Sequence, residues 1–437
     1  MNQMQLLRTE LTTAEIPEIY RRFAHIVGDQ HWKRRVSVVK AEAKGSHSLA
    51  DYLHAENSIA FALDRCRDLV VRYGNLPRAQ AENRKLWPGI GFAAQVLSMM
   101  DIAPRQEAER LRRRVHGALN NPDDMRGLQL ELMAATHFAR RGHNIAWPEM
   151  NGIGTFDLLV ESIGSSGLEV ECKSISDDKG RKVHRREALA FYDLLLPHLT
   201  PLRKSLTAGL SVVLTVPGRL PTQYKDRAAL AKHVSRQILI GRSATLDNGI
   251  DVRLAEFDVN SVGHLANDRH PAVVRTAIDN VTATRNREGM AIGTSAGGAL
   301  IFALQSAASD SLMDAVFDTL STAARNQVTC TRPAMLLAGF CGLNGEQLLR
   351  IAEQDNDPVQ RPTGLSLGAS KFLFSPDRDH VVGVGFLSSS ALLPEQNGLI
   401  DSGGTVFFFP KRASKQWHDD FNGLFSQGAH EQPPGGN

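Results

Sequence analysis

Asp157, Glu171 and Lys173 are the residues whose types and spacing point most directly to chemistry. Glu171 and Lys173 stand two apart in LEVECKSIS (168–176), a strand-like run, so alternation sends both side chains to one face and Val170 and Cys172 to the other. A second strand-like run, GTFDLLVES (154–162), precedes it, and IGSSG (163–167) between them has hairpin length. If the turn is confined to those five residues, Asp157 lies opposite Lys173, within one position. Two carboxylates converging there make a hard-oxygen site suited to Mg²⁺ or Mn²⁺, which takes its remaining ligands from water and phosphate. The lysine can hold a water for attack on phosphorus or stabilise charge on the phosphate in the transition state. Glu131, on a preceding helix anchored by Leu128, Leu132 and Ala135, is the candidate third carboxylate.

The surrounding pattern supplies elements to position these groups. Residues 12–145 are helical in period, punctuated at Gly74 to Pro77 and at Pro88-Gly89. The last helix starts near Asp123-Asp124, acids suited to a helix N-terminus, and stops at Gly142. After the strand pair come a helix over 183–197 and the apolar strand LSVVLTV (210–216), expected to be buried on both faces. Helices are expected around 224–239, 297–307 and 310–326, with strands in DVRLAEFDV, PAMLLAGFCGL, HVVGVGFLSS and GTVFFFP. The expected division is a helical N-terminal region (1–120), a core (121–220), a C-terminal α/β region (221–427) that continues the core sheet or meets a partner, and a disordered tail (428–437).

With those residues in place, FD at 156–157 followed by ECK at 171–173 resembles the PD-(D/E)XK nuclease superfamily, and the helix, strand, strand, helix, strand order over roughly 123–217 resembles its core. Phe156 replaces the proline of the family name. The resemblance implies a restriction-endonuclease-like α/β fold, a mixed sheet flanked by helices. It implies that Asp157 and Glu171, with Glu131, hold Mg²⁺ or Mn²⁺, that Lys173 is the catalytic lysine, and that the substrate is DNA before RNA. Restriction or defence against foreign DNA is the role such an activity would serve. An inactive nucleic-acid or protein binding module of the same fold is the alternative from another class.

A basic cluster, Lys179, Arg181, Lys182, Arg185 and Arg186, follows the site directly and is a candidate for backbone phosphate contacts. WKRR (32–35) and RLRRR (110–114) are more ordinary helix faces. The net charge of +3 is small for 437 residues, so attraction to nucleic acid must be local. Apolar residues at 42%, charged at 22% and aromatic at 6% describe a soluble globular chain. No signal-like start or run of 18 apolar residues occurs, so a cytoplasmic protein without a membrane partner is expected, alone, as a homo-oligomer or with a protein partner. Four dispersed cysteines lack zinc spacing and are expected as free thiols. GTSAGG (293–298) resembles the nucleophile elbow of patatin-like acyl hydrolases, with Ser295 as nucleophile and Asp401 in IDSGG as partner, and gives a third reading.

Overall fold

The computed structural model describes residues 10–80, 83–268, 271–285, 287–389, 392–395, 398–401 and 406–425. The chain forms two compact units. Unit 1 comprises the described residues of 1–42, 53–179 and 313–437, and unit 2 those of 43–52 and 180–312.

After the short strand β1 (Glu10–Leu11), the chain forms α1 (Ile16–Val27), α2 (Gln30–Glu42), α3 (His47–Glu56), α4 (Ser58–Tyr73), α5 (Trp87–Ile102), α6 (Arg105–Ala118) and α7 (Pro122–Arg140). Gly74, left-handed at φ 77°, ends α4 as its sequence predicts. Pro88 and Gly89 do not break the chain. Pro88 sits in the first turn of α5, where its missing N–H costs nothing, and Gly89 lets α5 approach α4 so closely that a Cβ would meet Leu63 N at 3.0 Å. Helix α7 begins one residue before the expected acids: the Asn121 side chain accepts from Asp123 N–H at 3.0 Å, Pro122 fits the first turn, and Asp123 and Asp124 meet the helix dipole. Leu128, Leu132, Ala135 and Phe138 form its buried face.

Next come β2 (Ile145–Ala146), α8 (Pro148–Asn151), β3 (Leu158–Val160) and β4 (Leu168–Ile175). The chain then enters unit 2 with α9 (Arg185–Leu195), α10 (Thr200–Ser205), β5 (Gly209–Val216), α11 (Tyr224–Ile240), β6 (Ala244–Thr245), β7 (Asp251–Phe257), α12 (Pro271–Thr282), β8 (Glu288–Gly293) and β9 (Ala299–Ser306). It finishes with α13 (Leu312–Asn326), β10 (Ala334–Phe340), α14 (Gly345–Asn356), α15 (Gly364–Leu373), β11 (Val381–Leu387), β12 (Leu392–Glu395), β13 (Gly398–Asp401) and β14 (Val406–Pro410).

Unit 1 is built on a mixed six-stranded sheet, β14-β11-β10-β4-β3-β2. β4 runs antiparallel to β3 and parallel to β10, with Glu171 beside Leu336 and Lys173 beside Ala338. Helices cover both faces. Val170, Cys172, Met335 and Leu337 pack into a core shared with α5 and α7, whereas Ile175, Leu336, Ala338 and Phe386 pack with α13 and α15. Gly339 permits the tight seating of α7, since a Cβ there would meet Leu130 Cδ1 at 2.8 Å. β1, β13 and β12 form a separate three-stranded sheet. Unit 2 has a five-stranded sheet, β6-β7-β5-β9-β8, whose apolar core includes residues of α9 and α11. Among the described residues no helix is long and apolar enough to cross a membrane.

Three expectations are corrected. LSVVLTV does not complete the site's sheet: as β5 it pairs with β7 and β9 in unit 2, and the strand beside β4 is β10, far along the chain. A contiguous 121–220 domain is therefore absent. Instead, 180–312 separates β2, β3 and β4 from the other three strands of their sheet, β10, β11 and β14 of the C-terminal region. The segment GALIFALQSA, expected as a helix over 297–307, is the central strand β9, because a short apolar run buried on both sides of a sheet satisfies its backbone through two neighbours. The tail 428–437 lies outside the described residues.

Candidate active site

Asp157 stands immediately before β3, and Glu171 and Lys173 lie within β4. The pairs Leu158↔Val170 and Val160↔Leu168 place Asp157 level with Glu171 rather than Lys173, two positions from the expected register. The cause is the turn, which takes all of 161–167, with Gly164 and Gly167 in the left-handed region at φ 61° and 79°. The shift draws the carboxylates together. Cys172 N–H donates to Asp157 Oδ2 at 2.8 Å, and Asp157 N–H donates to Glu171 Oε2 at 3.3 Å. Lys173 Nζ forms an ion pair with Glu171 Oε1. Asp157 is 6% exposed and Glu171 1%, whereas the Lys173 side chain is 24% exposed, so the lysine is the member of the trio that meets solvent.

Glu131 reaches the same charge cluster from α7. It is 4% exposed, its Oε1 accepts from Arg114 Nη2 at 2.5 Å, and its buried Oε2 has no hydrogen-bond partner. Arg114 also pairs through Nη1 with Glu149 at 3.3 Å. Sequence reasoning missed both Arg114 and Glu149. Glu149 sits in α8 between β2 and β3, and its place ahead of Asp157 was the available signal. Arg114 had no distinguishing signal within RLRRR, because its partner lies on another helix.

The electrostatics follow from burial. Desolvation pushes Asp157 up to about 6, against the Cys172 N–H and the Lys173 charge. Burial and then the Asp157 charge push Glu171 up to about 8, with Lys173 opposing. Glu131 is driven well above the usual carboxylate range by burial and next by Asp157, with Arg114 pulling it back. Burial pulls Lys173 down, but the Glu171 charge and hydrogen bond outweigh it and leave the ammonium raised. These buried acids share a deficit of positive charge.

The chemistry of the donors suits a hard divalent cation: buried carboxylate oxygens, one of them on Glu131 without a hydrogen-bond partner, and acids held from ionising by desolvation and mutual repulsion. In the present arrangement Lys173 and Arg114 carry the compensating charge, and among the described residues no three His, Cys, Asp or Glu side chains are gathered as a ready-made metal cluster. The Arg114 pairing gives a direct test. Arg114→Gln is expected to cost about 1–3 kcal/mol of stability by stranding Glu131, more at pH 8 than at pH 6, since Glu131 then has no cation to offset its ionisation. Thermal melts across that range check it; identical melts would show the pair to be inert.

The basic cluster is divided by the fold. Lys179 ends a segment of unit 1, while Arg181, Lys182, Arg185 and Arg186 belong to unit 2. Two of its arginines are also paired with acids. Arg181 pairs with Glu288 and lies 3.7 Å from Asp310, Arg185 reaches Glu288 at 4.0 Å and covers Tyr52, and Lys182 N–H donates to Asp310. The acids come from β8 and the segment before α13, beyond local sequence. Ser295 lies in a tight β8–β9 turn, with Thr294 N–H donating to Gly298 O at 2.9 Å and Gly297 at φ 90°. A nucleophile elbow needs a strand-to-helix turn, so the context of the acyl-hydrolase reading is missing. Asp401 ends β13, and its side chain lies outside the described residues. All four cysteines are free, Cys66 and Cys172 buried and Cys330 and Cys341 exposed.

Comparison of the chain with known protein families, curated proteins and solved structures gives no match in any of the three.

Proposed function

We propose that the chain is a metal-dependent nuclease of the PD-(D/E)XK kind, hydrolysing phosphodiester bonds in nucleic acid, DNA before RNA. The observation that carries this reading is the meeting of Asp157, Glu171 and Lys173 at one hairpin, two buried carboxylates beside a partly exposed lysine side chain. In this reading α7, β3, β4, α13 and β10 are the core, and unit 2 is inserted between β4 and α13.

Asp157 and Glu171 would hold Mg²⁺ or Mn²⁺, with Glu131 as a third carboxylate. Such an ion, when bound, supplies Lewis-acid polarisation of a phosphoryl oxygen and acidifies a water ligand. The remaining roles belong to the chain. The Cys172 N–H fixes the Asp157 carboxylate and the Asp157 N–H fixes Glu171, so both acids are oriented by backbone rather than by flexible side chains. Lys173, tied to Glu171, presents its ammonium where a phosphate oxygen or attacking water arrives, and its raised pKa keeps it charged to donate. Arg114 holds Glu131 at the rim of the cluster.

The test is incubation of the full chain with supercoiled and linear duplex DNA, single-stranded DNA and RNA, with Mg²⁺, Mn²⁺ or chelator. Cleavage of at least one substrate that requires the cation is expected. Absence of cleavage with every substrate and ion would overturn the enzyme reading in favour of a non-catalytic binding module.

A further inference from the structure

Unit 2 carries a second charged surface. Between residues 194 and 246 the chain has eight Lys or Arg and one acid, Asp226. Among the described residues none of those eight forms an ion pair, in contrast to Arg181 and Arg185, which Glu288 compensates. Helix α11 organises the charge. Leu230, Ala231, Val234 and Ile238 bury one side of it in the core of unit 2, which leaves Lys225, Lys232 and Arg236, seven and four residues apart, as an exposed stripe on another. The stripe runs into a groove of ≈ 370 Å³ lined by His198, Lys232, Ser235, Arg236, Leu239 and Ile240.

We infer that this stripe is a docking surface for the phosphate backbone of duplex nucleic acid. Charge complementarity argues for a polyanion, and the geometry for an extended one. Lys225 to Arg236 rises about 16 Å along the helix at ~1.5 Å per residue, roughly five base-pair steps of ~3.4 Å. A single strand is disfavoured because its usual platform is a set of stacked aromatic side chains, and Tyr224 is the one exposed aromatic of that stretch. A lipid surface is disfavoured because exposed apolar side chains, Leu239 and Ile240, lie at one end of the stripe and do not continue along it. The partner's identity rests on the nuclease reading, whereas the surface does not.

The experiment measures binding of the full chain to a labelled duplex of about 20 base pairs in chelator, by fluorescence anisotropy across a salt series. Lys225→Gln, Lys232→Gln and Arg236→Gln combined are expected to weaken binding about tenfold or more near ~50 mM salt and to reduce the slope of log affinity on log salt by about 3. Asp226→Asn, which removes the lone acid, is expected to tighten binding, a gain that misfolding cannot produce. Unchanged affinity and slope in the triple variant, no duplex binding by the wild type, or preference for phosphatidylserine vesicles over duplex would each overturn the proposal. Because chelator removes the need for cleavage, duplex binding through the stripe without any nuclease activity would leave this surface standing and the nuclease reading refuted.

Discussion

Lys173→Ala is expected to lower the single-turnover rate of phosphodiester cleavage about 10³-fold, the usual cost of removing one preorganised donor from developing charge. The effect has two sources that can be separated. Lys173 is the member of the trio whose side chain reaches solvent, so its loss removes the proposed contact to phosphate or water directly. It is also the cation that holds down the Glu171 carboxyl, so without it burial and the Asp157 charge push that group still higher and weaken cation binding near neutral pH. Lys173→Arg retains a charge beside Glu171 but not the compact ammonium. It is expected to keep cation affinity close to wild type, read by Mn²⁺ calorimetry, while its rate stays low. A Lys173→Ala rate within threefold of wild type would remove the lysine from the chemistry.

The second large effect is on stability and its pH dependence. Glu171 has a folded-state pKa of about 8, above the usual carboxylate value, so between about 4.5 and 8 the unfolded chain has released this proton and the folded chain has not. Stability from this group is therefore greatest at the acid end and is lost as pH rises through 8. Asp157, raised to about 6, acts in the same direction over a lower window. Glu171→Gln is expected to raise the melting temperature of the cation-free protein by on the order of 5 °C at pH 8 and to flatten its decline from pH 5 to 8. Divalent cation should offset this loss, stabilising the wild type increasingly from pH 6 to 8 because binding requires the ionised carboxylates, and leaving Glu171→Gln nearly unaffected.

His137 sets the opposite limb. Half-buried, with Nε2 2.7 Å from Leu424 O, it is pulled down to about 4, chiefly by desolvation. Its folded pKa lies below its unfolded one, so the unfolded chain binds the extra proton and this contribution is lost as pH falls from about 6.5 to 4. Differential scanning calorimetry from pH 4 to 9 checks both limbs. A melting temperature for wild type and Glu171→Gln that moves in parallel across pH 5 to 8 would contradict the assigned burial of the acid.

What could be read from the sequence was local. The alternation in LEVECKSIS puts Val170 and Cys172 into one core and Glu171 and Lys173 on the other face, as two-residue periodicity requires, and the acids Asp123 and Asp124 and the stop at Gly142 delimit α7 to within two residues at each end. What misled was either turn length or long-range pairing. A five-residue turn and the seven residues actually used differ by two positions, enough to change which residue faces Asp157 but not which face it shares. LSVVLTV and PAMLLAGF are equally apolar, and nothing within either states which one hydrogen-bonds to β4; that choice is made by packing across 180–312. Arg114 and Glu149 were invisible for the same reason, since the charges that define them sit on other elements.

The most direct measurement is cleavage of supercoiled plasmid by the wild-type chain and by Asp157→Asn, an isosteric change that keeps an oxygen to accept the Cys172 N–H while removing the carboxylate charge. Mg²⁺- or Mn²⁺-dependent nicking or linearisation by the wild type, abolished by chelator, is expected, with loss of activity in Asp157→Asn at an undiminished melting temperature. Cleavage by Asp157→Asn at the wild-type rate, or wild-type cleavage that persists in chelator, would contradict this expectation.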